Sequence, residues 1–128
     1  MLFRFCVGKI HRATVTQADL NYVGSITIDE VLLEKSGIKP FQMVNVHNVS
    51  NAAAWQTYVI AGERGSGIIC LNGPPARLFQ PGDKVIIMAE AYLEASEADG
   101  LVPVVVFVDE QNRVTKVERH PLSATNPA

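Results

Sequence analysis

Apolar residues in this chain come in short bursts, not in long helical stripes. Val, Ile and Tyr recur in brief runs, each closed by Gly, Pro, Asn or Asp, which is the rhythm of strands joined by turns. The extreme case is Val104-Val105-Val106-Phe107-Val108. It has no polar alternation, so it reads as a strand buried on both faces or set into an interface. Strands are expected near 2–7, 10–15, 42–48, 55–61, 67–71, 84–92, 103–108 and 113–118. Asp109 to Asn112 supplies a turn, so 103–118 reads as a hairpin. Two short helices interrupt the pattern. Asp29 can N-cap Glu30 to Ser36, Gly37 can close that helix, and Leu32 and Leu33 face the core. Glu94 to Asp99, ended by Gly100, is the second. At 128 residues and 48% hydrophobic the chain is one domain with a proper core. The fold class is all-β, and so many short strands in a small domain favour a closed barrel, which removes exposed edges.

Charge and cysteine usage exclude several classes. The net charge is −2 and 19% of residues are charged, with no basic block for nucleic acid and no acidic run. No apolar run approaches the roughly 18 residues of a membrane span. The start, MLFRFCVGK, lacks the parts of a signal peptide, so a cytoplasmic location is expected. Cys6 and Cys70 make no disulfide framework and read as buried free thiols in a reducing compartment. His11, His47 and His120 show no metal-ligand spacing, and no metal site is expected.

One dipeptide carries a possible reactive centre. Gly24-Ser25 lies in KIHRATVTQADLNYVGSITID, Lys9 to Asp29. A serine hydroxyl can attack the carbonyl of its own preceding peptide. The amide then becomes an ester, the ester eliminates, and the serine ends as a ketone at a new chain terminus. Gly-Ser by itself is an ordinary turn pair, and Gly65-Ser66 is another in this chain.

The wider context sharpens the reading. The Lys9–Asp29 stretch, Thr57-Tyr58, GERGSG (Gly62 to Gly67), Leu71-Asn72-Gly73, QPGDKVIIM (Gln80 to Met88) and VVVFVDEQN (Val104 to Asn112) fall in order and at family spacing. Over about residues 1 to 118 the chain resembles the aspartate 1-decarboxylases, pyruvoyl-dependent enzymes that make β-alanine. The resemblance implies a double-psi β-barrel over 1–118, cleaved between 24 and 25, with a disordered tail over 119–128. It implies a homotetramer with active sites between subunits, and a pyruvoyl cofactor made from Ser25. That group would form a Schiff base with L-aspartate and accept the electrons released with CO2, as pyridoxal phosphate does. The product would feed pantothenate and coenzyme A synthesis. Whether cleavage needs a maturation factor stays open.

By the same resemblance, Ser25 is the nucleophile and precursor, and Gly24 supplies the carbonyl it attacks. Thr57 assists at the oxyanion, and Tyr58 is the proton donor. Tyr22 orients the pyruvoyl end. Asn72 and Gly73 hold the substrate site, Lys9 lies near a substrate carboxylate, and His11 is a pocket candidate. Taken singly, Thr57 is a strand threonine, Tyr58 a packed aromatic, Asn72-Gly73 a turn and Lys9 a solvated lysine.

The chain also departs from the family. Members carry a carboxylate-gripping arginine three positions before Thr-Tyr, where this chain has Ala54. Losing such a charged hydrogen bond costs roughly 1.5–3 kcal/mol. Pro74 and Pro75 replace alanines after Asn72-Gly73, so no backbone N–H is available there. His47 stands where an apolar or aromatic wall is expected. Lys9, Arg12 or His47 could substitute as the cation. A decarboxylase of another amino acid, or an unprocessed non-catalytic barrel, are the alternatives. A standing serine hydrolase is disfavoured, because no Gly-x-Ser-x-Gly pattern surrounds Ser25.

Overall fold

The computed structural model of the chain describes residues 1–122, and the part of the expected tail over 123–128 lies outside them. Nine strands form one mixed sheet: β1 (Leu2–Thr14), β2 (Gln17–Asp19), β3 (Ser25–Asp29), β4 (Met43–Asn48), β5 (Ala54–Gly62), β6 (Ile69–Asn72), β7 (Lys84–Glu94), β8 (Val104–Val108) and β9 (Val114–Arg119). Their order is β2-β6-β3-β5-β4-β7-β1-β8-β9. The pairs β1/β8, β2/β6 and β3/β5 are parallel and the other neighbours antiparallel. The mainly-β expectation holds, with two short helices, α1 (Glu30–Ser36) and α2 (Ala95–Ala98), and a 3-10 turn at Pro74–Arg77.

Alternation places the core. Ile26 and Ile28 of β3, Val44 and Val46 of β4, Val59 of β5, Leu71 of β6, and Val85 and Ile87 of β7 are all fully buried in one cluster, together with Ile10 of β1 and Val106 of β8. Since one face of nearly every strand feeds the same core, the sheet curls around it. Thr16 helps to bring its ends together: its N–H donates to the Ile69 carbonyl, and its hydroxyl exchanges hydrogen bonds with the same residue. Of the run 104–108 only Val106 is fully buried, so burial on both faces is not met within one chain.

Local signals formed the elements they promised. Asp29 caps α1, accepting the Val31 N–H at 2.8 Å, and Gly37 closes it at φ 77°. Asp29 also accepts the N–H groups of Gly65 and Gly67, tying α1 to the GERGSG loop. Strands β8 and β9 form the expected hairpin. Two results differ from expectation. The strands expected at 2–7 and 10–15 are one bent strand, because bulges at Cys6/Gly8 and Ile10/Ala13 let β1 change direction without ending. Strands β2 and β3 lie where none was expected: β2 is only three residues long, and β3 is fixed by pairing with β5 and β6 on its two sides. Cys70 is buried and Cys6 half-buried, both free.

Candidate active site

Ser25 is the first residue of β3, held between β5 and β6. With Ile26 and Ile28 committed to the core, Ser25 and Thr27 turn to the opposite face. The antiparallel register sets Ser25 opposite Asn72 and Thr27 opposite Cys70, so these four side chains share that face. Ser25 is fully buried. The Asn72 amide nitrogen donates to Ser25 Oγ at 3.0 Å and to Thr27 Oγ1 at 3.1 Å. Its oxygen accepts the Cys70 thiol at 3.2 Å. Three neighbours therefore fix which end of the amide faces Ser25. The Ser25 hydroxyl itself points back along its own chain, donating to the Val23 carbonyl at 3.4 Å.

The glycine that this geometry demands is Gly73. It sits at φ 80°, ψ −146°, a region that only glycine occupies readily. A Cβ there would come within 2.8 Å of Gly24 Cα and 3.1 Å of the Tyr22 carbonyl oxygen. Gly73 is thus the floor on which the Tyr22–Gly24 segment rests, and its N–H donates to the Asp19 carbonyl at 2.8 Å. Gly24, by contrast, is not among the positive-φ glycines, and a Cβ there would meet only ordinary contacts, the nearest at 3.9 Å. Asn72-Gly73 is therefore not a hairpin turn: Asn72 ends β6 and Gly73 leads into the 3-10 turn. Pro74 and Pro75 open that turn, where a missing N–H costs nothing.

Thr57 and Tyr58 lie on β5, next to β3. The parallel register pairs Ile26 with Val59. Extended one residue it sets Ser25 level with Tyr58, and extended two it sets Gly24 level with Thr57. Thr57 faces inward opposite Val44 and is buried, whereas Tyr58 faces outward opposite Met43. The Tyr58 ring lies flat against Phe41, centroids 5.3 Å apart and planes 12° from parallel.

Beside Ser25 opens a cleft of about 310 Å³ lined by Gln17, Asp19, Tyr22, Thr27, Ile60, Ile68, Cys70 and Asn72. Asp19 is the single charged residue in that lining. Burial raises the Cys70 thiol pKa, with the Asp19 charge adding to it, so Cys70 stays a neutral donor. A larger cleft, about 430 Å³, lies by α1 and holds Glu30, Glu34 and Lys39 but none of the reactive residues.

The remaining candidates stand elsewhere. Lys9 pairs with Met88 and Val105, and His11 with Phe107. Strand β1 is four places from β3 in the sheet, roughly 19 Å measured along it. His11 lies edge-on to Phe107 at 5.4 Å. Its pKa is lowered by burial first, then by the charges of Lys9 and Arg12. Ala54 is exposed directly opposite His47, also exposed. Sequence reasoning had singled out Ser25, Asn72, Gly73, Gly24 and Tyr22, which the fold brings together. It missed Thr27 and Cys70. Their two-residue spacing from Ser25 and Asn72 would have found them once those two strands were paired.

Comparison with known proteins identifies the family. A family model described as aspartate decarboxylase matches residues 1–115. The chain belongs to the aspartate decarboxylase family. An aspartate 1-decarboxylase of Lactiplantibacillus plantarum is 58% identical over 127 residues, covering 97% of this chain and 98% of that protein. One from Carboxydothermus hydrogenoformans is 59% identical over 118 residues, 92% and 93% of the two chains. One from Ruminiclostridium cellulolyticum is 62% identical over 109 residues, 85% of each.

Proposed function

We propose that this chain is a self-processing, pyruvoyl-dependent aspartate 1-decarboxylase, a carbon–carbon lyase that converts L-aspartate to β-alanine and CO2. The observation that carries the self-processing is the buried Ser25 Oγ, held by Asn72 beside the peptide that Gly73 supports. In maturation Ser25 Oγ bonds to the Gly24 carbonyl carbon and the Gly24–Ser25 C–N bond breaks, giving an ester. Elimination returns Gly24 as a carboxylate, and water then displaces ammonia to leave the ketone. Thr57, level with Gly24, supports the oxyanion of the first step. The surroundings fit such a terminus: the cleft is small and nearly uncharged, with Asn72 and Thr27 as polar partners.

The pyruvoyl ketone supplies the electron sink for decarboxylation. The chain's own residues do the rest. Asn72 and Tyr22 orient the new terminus, and Tyr58, outward-facing and level with Ser25, delivers the proton that replaces CO2. Aspartate brings two carboxylates, yet the cleft offers only Asp19 as a charge. Lys9 is not among the residues that line it. Both facts favour a homotetramer in which a neighbouring copy supplies the cation, built on the double-psi β-barrel of the family. Exposed Tyr22, Val23, Phe41 and Met43 beside the site are consistent with such a contact. The catalytic domain is 1–118. We place the enzyme in the cytoplasm, feeding pantothenate synthesis. No helix is long and apolar enough to cross a membrane among the described residues.

The test is an intact mass under denaturing conditions, with Ser25→Ala as control. Fragments 1–24 and 25–128, the larger lighter by one ammonia than its serine form, are expected for the unaltered chain. Ser25→Ala should stay a single chain of about the original 13.9 kDa. Cleavage that survives Ser25→Ala ends the proposal.

A further inference from the structure

We infer that Phe41 is a positioning residue for Tyr58, an aromatic plate that fixes the direction of the phenol. The inference rests on the reading of Tyr58 as proton donor. Phe41 has φ 67°, a left-handed conformation that is a genuine outlier for a bulky residue. Two hydrogen bonds hold it there: its N–H donates to the Val59 carbonyl at 2.7 Å, and the Val59 N–H donates to the Gln42 carbonyl at 3.1 Å. The backbone at this point thus clips the 39–42 turn to the residue next to Tyr58. Gly or Asn would satisfy that clip without strain.

Core packing does not explain the phenylalanine, for the residue is 73% exposed. What its ring touches is Tyr58, stacked at 5.3 Å and 12°, the offset arrangement that aromatic pairs favour. A backbone strained to carry an exposed ring, and that ring laid on one functional side chain, are two independent observations with one consequence. With the plate in place the Tyr58 ring cannot swing away from the face it shares with Ser25. Without it the phenol spends less time aimed at the reacting carbon, and the loss falls on turnover, not on substrate binding.

The experiment compares Phe41→Asn, Phe41→Tyr and Tyr58→Phe, each as the fully processed enzyme, by kcat and KM for L-aspartate, by cleavage at Gly24–Ser25 and by Tm. Asn tolerates the left-handed backbone, so Phe41→Asn should fold with an equal or higher Tm and cleave completely. Its kcat should fall about two- to tenfold at unchanged KM, the size of a lost aromatic pair. Phe41→Tyr, which keeps the ring, should recover kcat. Undiminished kcat in Phe41→Asn, with Tyr58→Phe inactive, overturns the inference and leaves Tyr58 in its role. A kcat loss matched by a fall in Tm, or by a smaller assembly on size exclusion, overturns it too, as a plain folding or assembly effect. Full activity in Tyr58→Phe removes the proton-donor reading and this inference with it.

Discussion

The strip around Ser25 and the outward face carrying Ala54 are built to different standards. Around Ser25 the polar side chains of one strip interlock: Asn72 spans Ser25, Thr27 and Cys70, and Gly73 packs against the Gly24 backbone. On the outward face Ala54, His47 and Gln56 are exposed, and opposite His47 stands the Ala54 methyl, which can make no hydrogen bond. Self-cleavage is a reaction of a chain with itself, so one chain must hold all its parts. Grip on a substrate carboxylate needs a cation, and here the family's arginine position holds a methyl group. On the proposed function, the processing residues are kept while the recognition face differs from the family pattern at Ala54.

The sharpest way to break this contrast is Gly73→Ala. A Cβ would clash with Gly24 and demand a left-handed alanine, so a stability loss of at least about 2 kcal/mol is expected, together with loss of cleavage. Urea unfolding and intact mass read the two effects; a stable, cleaved variant would mean that the floor under Gly24 is dispensable. Next in size is Ala54→Arg, which restores a charge-assisted grip and should lower KM for L-aspartate by roughly tenfold or more. An unchanged KM would show that the recognition face has been rebuilt around a different contact.

Smaller still is Ala52→Gly in the β4–β5 turn. Ala52 sits at φ 62°, so glycine should stabilise the fold by about 0.5–1 kcal/mol with activity unaltered, as a thermal melt would reveal. Last comes His11. Burial and the neighbouring cations lower its folded pKa below 6.5, so below about that pH the unfolded chain takes up a proton that the folded chain refuses. Stability should then decline as pH falls from near 6.5 toward the folded pKa. His11→Gln should flatten that slope while leaving stability above pH 7 unchanged. An identical slope in both proteins would remove His11 from the acid response.

What could be read from the chain alone was what short-range chemistry fixes. Asp29 before Glu30 to Ser36 and Gly37 after it needed no partner to declare a helix, and α1 has those bounds. Turn residues between apolar runs declared β4, β7 and the β8–β9 hairpin. Strand β3 was not expected although Ser25 to Asp29 alternates polar and apolar residues; its place was decided by pairing with β5 and β6 on both sides. Asn72-Gly73 read as a turn for the same reason: its neighbours in space are distant in sequence.

The candidate site divides along the same line. The order of motifs along the chain carried the resemblance, and through it the expectation that Gly24-Ser25 reacts, with Thr57, Tyr58 and Asn72 beside it and Ala54 in place of an arginine. Only the tertiary structure decided that Gly73, not Gly24, sits where a Cβ has no room, that Cys70 and Thr27 set the Asn72 amide, and that Phe41 lies on Tyr58. Those are facts of register and close approach across strands, and they exist only once the sheet has folded.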